Sequence, residues 1–91
     1  MQFNERKRQG LAIFEGRGWL SPPTWAVLAG FRPIRAAYSY LLRLYRWGLL
    51  ERMRDSRGLL LYRLTERGWR RLKWLASASL RRETLESRKQ P

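Results

Sequence analysis

The sequence predicts an α+β domain that is mostly α, with three helices, a two-stranded β-ribbon and a fourth helix in that order. Gly48 ends a helical pattern, and two short apolar runs follow at residues 49–54 and 59–64. The segment between these runs, DSRG at residues 55–58, has the residue types of a hairpin turn. Thr65 then has a side chain suited to capping the next helix. A helix, a ribbon and a further helix in this order form the back half of a winged helix.

The first helix is predicted at residues 4–15. Asn4 can accept hydrogen bonds from free N–H groups at its start, and Glu5 suits the positive end of a helix. Gly16 and Gly18 are expected to end it. Its apolar stripe consists of Leu11, Phe14 and Phe3.

The second helix is predicted at residues 22–29, and its limits have the strongest signals in the chain. Ser21 is a good cap, and Pro22 loses nothing at the first helical position, where its missing N–H would have no partner. Gly30 suits the left-handed stop at the other end. The predicted core residues of this helix are Trp25, Leu28 and Ala29.

The third helix is predicted to begin near Pro33 and to end at Gly48. At 100° per residue, one side of it is apolar and consists of Ile34, Ala37, Leu41 and Leu44. The opposite side carries arginines with small residues between them, which would let the backbone approach a groove: Arg35, Ala36, Ser39, Arg43 and Arg46. The simpler interpretation of that side is an ordinary solvated basic surface.

The ribbon is expected to turn Leu60, Tyr62 and Leu64 inward, because alternate residues of a strand share a face. Gly68 lies inside the fourth helix and costs about 1 kcal/mol relative to alanine there, so a local contact should require it. We predict a winged-helix domain at residues 4–76. Residues 77–91 would form a helical extension and a tail, disordered from Glu86 onward.

Composition indicates a polyanionic partner. The formal net charge is +13, from 20 Lys+Arg against 7 Asp+Glu, and most of the basic residues are arginine. The guanidinium group is a planar fork that matches phosphates and guanine edges. A hydrophobic share of 44%, with five Trp, four Tyr and three Phe, distinguishes the chain from a disordered basic segment.

Several function classes are excluded by what the sequence lacks. It has no Cys and no His, which excludes disulfides, zinc fingers and catalysis by Ser-His or Cys-His pairs. Its few acidic residues are scattered, so we expect no enzyme activity, no catalytic residue, no metal site and no cofactor. No apolar run could span a bilayer, and the first residues lack the apolar segment of a signal peptide. We therefore expect a cytoplasmic protein without a membrane partner.

Two motifs resemble the winged-helix transcriptional regulators of the MarR, PadR and ArsR type. The run LLRLYRWGL at residues 41–49 is similar to the Leu-x-x-Leu-x-x-x-Gly-Leu that ends their recognition helix. The run YRLTERG at residues 62–68 is similar to the Tyr-x-Leu-Thr-x-x-Gly that follows their wing. The resemblance covers roughly residues 5–76 and implies DNA binding, with the third helix in the major groove and the wing on the backbone or minor groove.

That resemblance implies a set of DNA-binding positions. On the recognition helix they are Arg35, Ala36, Tyr38, Ser39, Leu42 and Arg43. Arg46 joins them because it lies on the same basic side, and Arg54 and Arg57 are the wing arginines that would meet phosphate or the minor groove. Thr24, near the start of the second helix, can donate its hydroxyl to a phosphate.

Several functions stay open at this level. The first hypothesis is a DNA-binding transcriptional regulator whose partner is double-stranded DNA. An RNA-binding or ribosome-associated winged helix is the alternative that the overall basicity favours, and a protein-interaction winged helix would use an apolar patch of Leu42, Leu59, Leu61 and Trp74. Regulators of this resemblance usually act as dimers, so we also expect a weak homodimer. Its interface could be built by the first helix, with Phe3, Leu11 and Phe14, or by the fourth helix extended through Leu80 and Leu85, and we predict the fourth helix.

Overall fold

The computed structural model describes the backbone of residues 2–89 and the side chains of residues 5–78. Its elements in chain order are α1 (Gln2–Ala12), α2 (Pro22–Ala29), α3 (Ile34–Arg46), β1 (Leu50–Arg54), β2 (Leu60–Leu64) and α4 (Glu66–Lys89). The two strands are antiparallel, with Leu50 opposite Leu64 and Arg54 opposite Leu60. The predicted α+β winged helix, mostly helical with a two-stranded wing and a fourth helix, is confirmed.

Trp25 lies at the centre of the helical core and is only 1% exposed. Its indole N–H donates to the carbonyl oxygen of Gly10 at 3.0 Å, which connects α2 to α1. Its ring stacks on Tyr40 of α3 at 5.6 Å between centroids and meets Phe31 at 5.2 Å. One aromatic side chain therefore positions three helices. Burial in this cluster raises the pKa of the Tyr40 hydroxyl.

The wing is fastened to the helical core at its inner end. Tyr62 of β2 is 1% exposed, and its backbone exchanges two hydrogen bonds of 2.8 Å with Leu20. The predicted inward face of this strand is thus confirmed at its centre. Because Leu20 directly precedes the cap of α2, this bridge also fixes where α2 begins.

Thr65 and Gly68 join the wing to α4 through one contact network. The Thr65 hydroxyl accepts from the Gly68 N–H at 2.9 Å and donates to the carbonyl oxygen of Gly48 at 2.7 Å. A Cβ added at Gly68 would lie 2.1 Å from the carbonyl oxygen of Leu49, which no side chain can occupy. The predicted cap is confirmed, and so is the prediction that a local contact requires Gly68.

The limits of α2 agree with the sequence, but its buried face does not. The Ser21 side chain accepts from the Thr24 N–H, and Gly30 adopts φ 64° at the other end. Leu28 and Ala29 are exposed, however, and Ala26 is buried in their place. The sequence PPTWAVLA is apolar around the whole helix, so its pattern does not define an inward face.

Two further predictions about the helices are wrong. Ile34 is 47% exposed because it is the first residue of α3 and precedes the part of that helix that crosses the core. Helix α1 begins at Gln2 and ends at Ala12, so Asn4 lies inside it instead of capping it. The buried stripe of α1 is confirmed at Leu11 and Phe14, whereas the side chain of Phe3 lies outside the described residues.

Helix α4 is the longest element, with 24 residues. It continues to Lys89, past the position Glu86 at which the sequence predicted a disordered tail, and the backbone shows no break near residue 77. The boundary between domain and extension therefore stays a prediction. Within the described residues, no helix combines the length and the apolar character needed to cross a membrane.

Candidate nucleic-acid interface

The outward side of α3 is the centre of the candidate interface. Ala37, Leu41 and Leu44 on the inward side are all 0% exposed, which fixes the rotation of the helix about its axis. The residues that the sequence predicts for the opposite side are consequently turned to solvent. Arg35, Ser39, Arg43 and Arg46 are exposed, and Ala36 is half-buried.

Tyr38 and Leu42 complete the predicted recognition set. Tyr38 is 43% exposed, although the helical wheel places it toward the edge of the core. Leu42 is half-buried. Among the described residues, the structure brings the six predicted α3 positions together on one surface, as the resemblance implies, and Arg46 extends that surface toward the C-terminal end of the helix.

The wing tip is held by Asp55. Its carboxylate accepts the backbone N–H groups of Arg57 at 2.8 Å and Leu59 at 2.9 Å, while Gly58 takes the left-handed φ of 83° that the turn needs. The Arg54 guanidinium donates to the carbonyl oxygen of Gly58 at 2.8 Å, so it braces the tip. Arg57 is exposed at the end of the turn, where its side chain can reach a partner.

Arg52 is a wing residue that sequence reasoning missed. Its guanidinium carbon lies 4.3 Å from the centroid of the Tyr45 ring, which joins β1 to α3. A hydrogen bond to the Tyr62 hydroxyl raises the pKa of Arg52. The antiparallel register places Arg52 opposite Tyr62, and cross-strand neighbours lie on one face of a ribbon. The sequence alone does not define this register, so it gave no signal for Arg52.

Thr24 lies one turn into α2, and its side chain is exposed. Its hydroxyl oxygen accepts a hydrogen bond from the Ser21 hydroxyl at 3.0 Å. The hydroxyl proton of Thr24 is therefore still available to donate. An exposed hydroxyl near the start of α2 is suited to contact an anionic oxygen, and the contact of Thr24 with a phosphate stays a prediction.

None of the ion pairs between described side chains involves the α3 or wing-tip arginines. The pairs join Arg8 to Glu5, Arg63 to Glu51 and Arg70 to Glu66. The first also lowers the pKa of Glu5, because the Arg8 guanidinium hydrogen-bonds to its carboxylate. The positive charge of the candidate interface is thus not paired with any acidic side chain that the structure describes.

Basic residues are not confined to that interface. Lys7 of α1 and Arg67 and Arg71 of α4 gather with Arg46 around a shallow pocket beside Trp47. This grouping joins residues that are far apart in sequence, and no local motif predicts it. Burial, and then the nearby charge of Arg71, lower the pKa of Lys7.

The apolar surface that a protein-binding winged helix would use is only partly exposed. Leu59 and Trp74 are 48% and 51% exposed, whereas Leu42 and Leu61 are half-buried. The side chains of residues 5–78 include no group of three or more acidic residues that could hold a metal ion. The cationic surface of α3 and the wing is therefore the better developed of the candidate sites.

Several solved structures have the same fold as this chain. A crystal structure of a MarR-family transcriptional regulator from Silicibacter pomeroyi superposes with a TM-score of 0.71 and 24% identity, covering 79% of this chain and 49% of that one. MepR, a transcription regulator of the Staphylococcus aureus multidrug efflux pump MepA, gives a TM-score of 0.71 and 22% identity over 96% and 67% of the two chains. The DNA-binding protein Sso10a-2 from Sulfolobus solfataricus gives 0.71 and 20% identity over 92% and 86%.

These likenesses establish a winged helix of the kind found in MarR-family regulators. The chain spans about half the length of the Silicibacter pomeroyi regulator. No protein-family model matches the sequence, and no curated protein matches it.

Proposed function

We propose that the chain is a cytoplasmic DNA-binding transcriptional regulator that acts by occupying a site on double-stranded DNA, without catalytic activity. The observation that carries this proposal is the outward side of α3, where Arg35, Ser39 and Arg43 are exposed over a fully buried apolar side. The regulators and DNA-binding proteins that share the fold support it. A rigid helix with cationic and small side chains on its free face has the shape and charge to enter a major groove.

The side chains of the interface have four different roles in this proposal. Arg35, Ser39 and Arg43 read base edges in the major groove, where arginine can form two hydrogen bonds with guanine. Ala36, Tyr38 and Leu42 allow close approach and make apolar contacts with bases or sugars. Arg46, Arg57 and Thr24 bind phosphate oxygens, and Arg54 supports the wing tip that presents Arg57.

A titration of labelled duplex DNA at several salt concentrations tests this function. If the interface neutralises about four phosphates, log affinity should fall against log salt with a slope of roughly −3 to −4. Selection of bound duplexes from a random pool would then identify a preferred site. A salt-independent response, or an absence of binding at low salt, contradicts the proposal.

An RNA partner is the alternative that the basic residues of α1 and α4 favour, because they spread the charge beyond α3 and the wing. Competition between the duplex DNA and a double-stranded RNA of the same sequence separates the two. A-form RNA has a deep, narrow major groove that a helix cannot enter. Stronger binding to RNA would therefore replace the DNA proposal with the RNA one.

We also propose a weak homodimer, and its interface is α4. The α1 alternative would need Leu11 and Phe14, but these side chains are 0% and 3% exposed within the domain's own core. Helix α4 packs on α1 and continues to Lys89, and the side chains of Leu80 and Leu85 lie outside the described residues. Sedimentation equilibrium over a wide concentration range should show reversible dimers, and truncation after residue 79 should abolish them. A strict monomer, or a dimer that survives this truncation, contradicts the α4 interface.

A further inference from the structure

The outward side of α3 has two flanks, and different elements of the domain border them. Tyr45 lies on one flank, where the guanidinium carbon of Arg52 is 4.3 Å from its ring centroid and joins α3 to the wing. Ala36 and Tyr40 lie on the other flank, where they line a cleft between α1, the end of α2 and α3. At 100° per residue, Tyr40 is about 100° to one side of Ser39, and Tyr45 is about 120° to the other.

A duplex has a sugar-phosphate backbone on each side of its major groove. The groove is about 12 Å wide, close to the diameter of an α-helix, so the elements that border the two flanks of a helix in the groove face the two backbones. The wing borders one flank of α3, and its Arg57 is assigned to phosphate above. The cleft borders the opposite flank and therefore faces the second backbone.

The cleft is cationic. It has a volume of about 620 Å³, its lining residues include Arg6 of α1 and Arg32 of the turn after α2, and none of them is acidic. Both arginines are exposed, and neither forms an ion pair or a hydrogen bond with a described residue. The guanidinium carbon of Arg6 lies 5.8 Å from the centroid of the Phe31 ring. A guanidinium over a ring keeps its N–H groups, which point outward in its own plane, available to an oxyanion.

The core holds the two segments that carry these arginines next to each other. One turn after Arg6, the carbonyl oxygen of Gly10 accepts the indole N–H of Trp25 at 3.0 Å, which ties α1 to α2. A Cβ added at Gly10 would lie 3.3 Å from ring carbons of Trp25 and Tyr40, so α1 approaches both rings closely. The backbones that bear Arg6 and Arg32 are thus positioned before a partner arrives, which lowers the entropy cost of binding.

We propose that Arg6 and Arg32 together bind one phosphate of the duplex backbone on the α1 side of the groove, so that α1 forms part of the DNA interface. The contact rests on the proposed function, because it forms only when α3 lies in the major groove. A backbone phosphate projects from the duplex and can enter the cleft without unpairing a base. Its two unesterified oxygens can each accept from a guanidinium. Backbone contacts on both flanks of α3 fix the orientation of the helix in the groove.

The test compares two double variants that each remove two positive charges. R6Q/R32Q removes the arginines of the cleft, and R70Q/K73Q is the control, since Arg70 and Lys73 are exposed on α4 and do not line the cleft. In fluorescence anisotropy titrations of the preferred duplex, R6Q/R32Q should weaken binding about tenfold and reduce the salt slope by about one, while R70Q/K73Q should change affinity by less than about threefold. R6K/R32K keeps both charges and should recover most of the affinity that R6Q/R32Q loses.

Duplexes in which one backbone phosphate is replaced by a neutral methylphosphonate locate the contact. At one position the wild-type chain should lose about tenfold in affinity, whereas R6Q/R32Q should lose less than about twofold there, because its side chains no longer meet that phosphate. Inorganic phosphate is the probe for the other source of the same anion. It should displace the duplex no better than chloride at equal ionic strength, and displacement that is stronger and that requires Arg6 and Arg32 would assign the cleft to free phosphate.

The outcomes separate this contact from the proposed function. If the wild-type chain binds the duplex but the two double variants lose affinity equally, or if no methylphosphonate position distinguishes R6Q/R32Q from the wild type, the contact at the cleft is overturned and DNA binding stands. If the wild-type chain binds no duplex, the proposed function falls, and the contact with it. Thermal unfolding followed by circular dichroism verifies that each variant is folded.

Discussion

The two sides of α3 differ in how completely the rest of the domain constrains them. The inward side, with Ala37, Leu41 and Leu44, is entirely covered by the core. The outward side, with Arg35 and Arg43, makes no hydrogen bond or ion pair with other described side chains. A buried apolar side chain contributes to the free energy of unfolding, whereas a solvated charged one contributes little.

One short helix therefore assigns stability to one of its faces and recognition to the other. The inward side and the junction with the wing determine where the helix lies. The outward residues are free to be selected for a partner, since changing them does not disturb the packing beneath. Substitutions at the junction and the inward side should therefore change stability, and substitutions on the outward side should change binding alone.

The largest effect is expected from Gly68→Ala, at the junction of the wing with α4. The new Cβ would lie 2.1 Å from the carbonyl oxygen of Leu49, and a backbone atom cannot rotate away. We expect a loss of about 4 kcal/mol or more in the free energy of unfolding, because β1 and α4 must separate to make room. Urea denaturation followed by far-ultraviolet circular dichroism measures it.

Gly16→Ala is the matched control for this prediction. Gly16 has φ 74°, and a Cβ there would meet nothing within 4 Å, so only backbone strain opposes the change. That strain costs about 1–2 kcal/mol for a non-glycine residue. If both variants lose the same free energy of unfolding, the contact between the Gly68 backbone and Leu49 adds nothing to the cost of replacing a glycine.

A smaller loss is expected from Leu41→Ala on the inward side of α3. The side chain is 0% exposed, and its removal should lower the free energy of unfolding by about 3 kcal/mol. Leu42→Ala is the control from the adjacent position, where the side chain is only half-buried and the expected loss is about 1 kcal/mol. Similar losses at both positions in urea denaturation would mean that the helix is rotated from its described orientation.

The features that could be predicted from the sequence are those that depend on contacts between residues close together in the chain. Ser21 and Thr65 cap helices through hydrogen bonds to residues three positions away, and such local contacts leave a local signal. The periodicity of α3 likewise predicted that Ala37, Leu41 and Leu44 are buried, because apolar and charged residues lie on opposite sides of that helix. Helix α2 has no such contrast, and its inward residues could not be chosen.

The parts of the candidate site that escaped prediction depend on contacts between distant segments. The sequence predicted Arg54 as a wing arginine that contacts DNA, but its side chain closes the turn by donating to the carbonyl oxygen of Gly58. The shallow pocket beside Trp47 joins Lys7 to Arg67 and Arg71 across sixty or more residues, which only the folded chain brings together. The assignment of individual DNA contacts stays a prediction, because it depends on a partner's geometry as well as on the domain's own.

The smallest change in stability and the most specific change in function are expected from Arg43→Ala on the outward side of α3. Since the side chain is exposed and makes no ion pair with a described residue, unfolding should change by no more than about 0.5 kcal/mol. If Arg43 forms two hydrogen bonds with a guanine, affinity for the preferred duplex should fall by about 1–3 kcal/mol and discrimination at that base pair should relax.

Arg57→Ala at the wing tip is the comparison, and it should weaken all duplexes alike and reduce the salt slope by about one. Titration of preferred and scrambled duplexes with both variants decides between these roles. If Arg43→Ala lowers affinity equally for every sequence, the side chain contacts phosphate, and base reading must be assigned to Arg35 and Ser39.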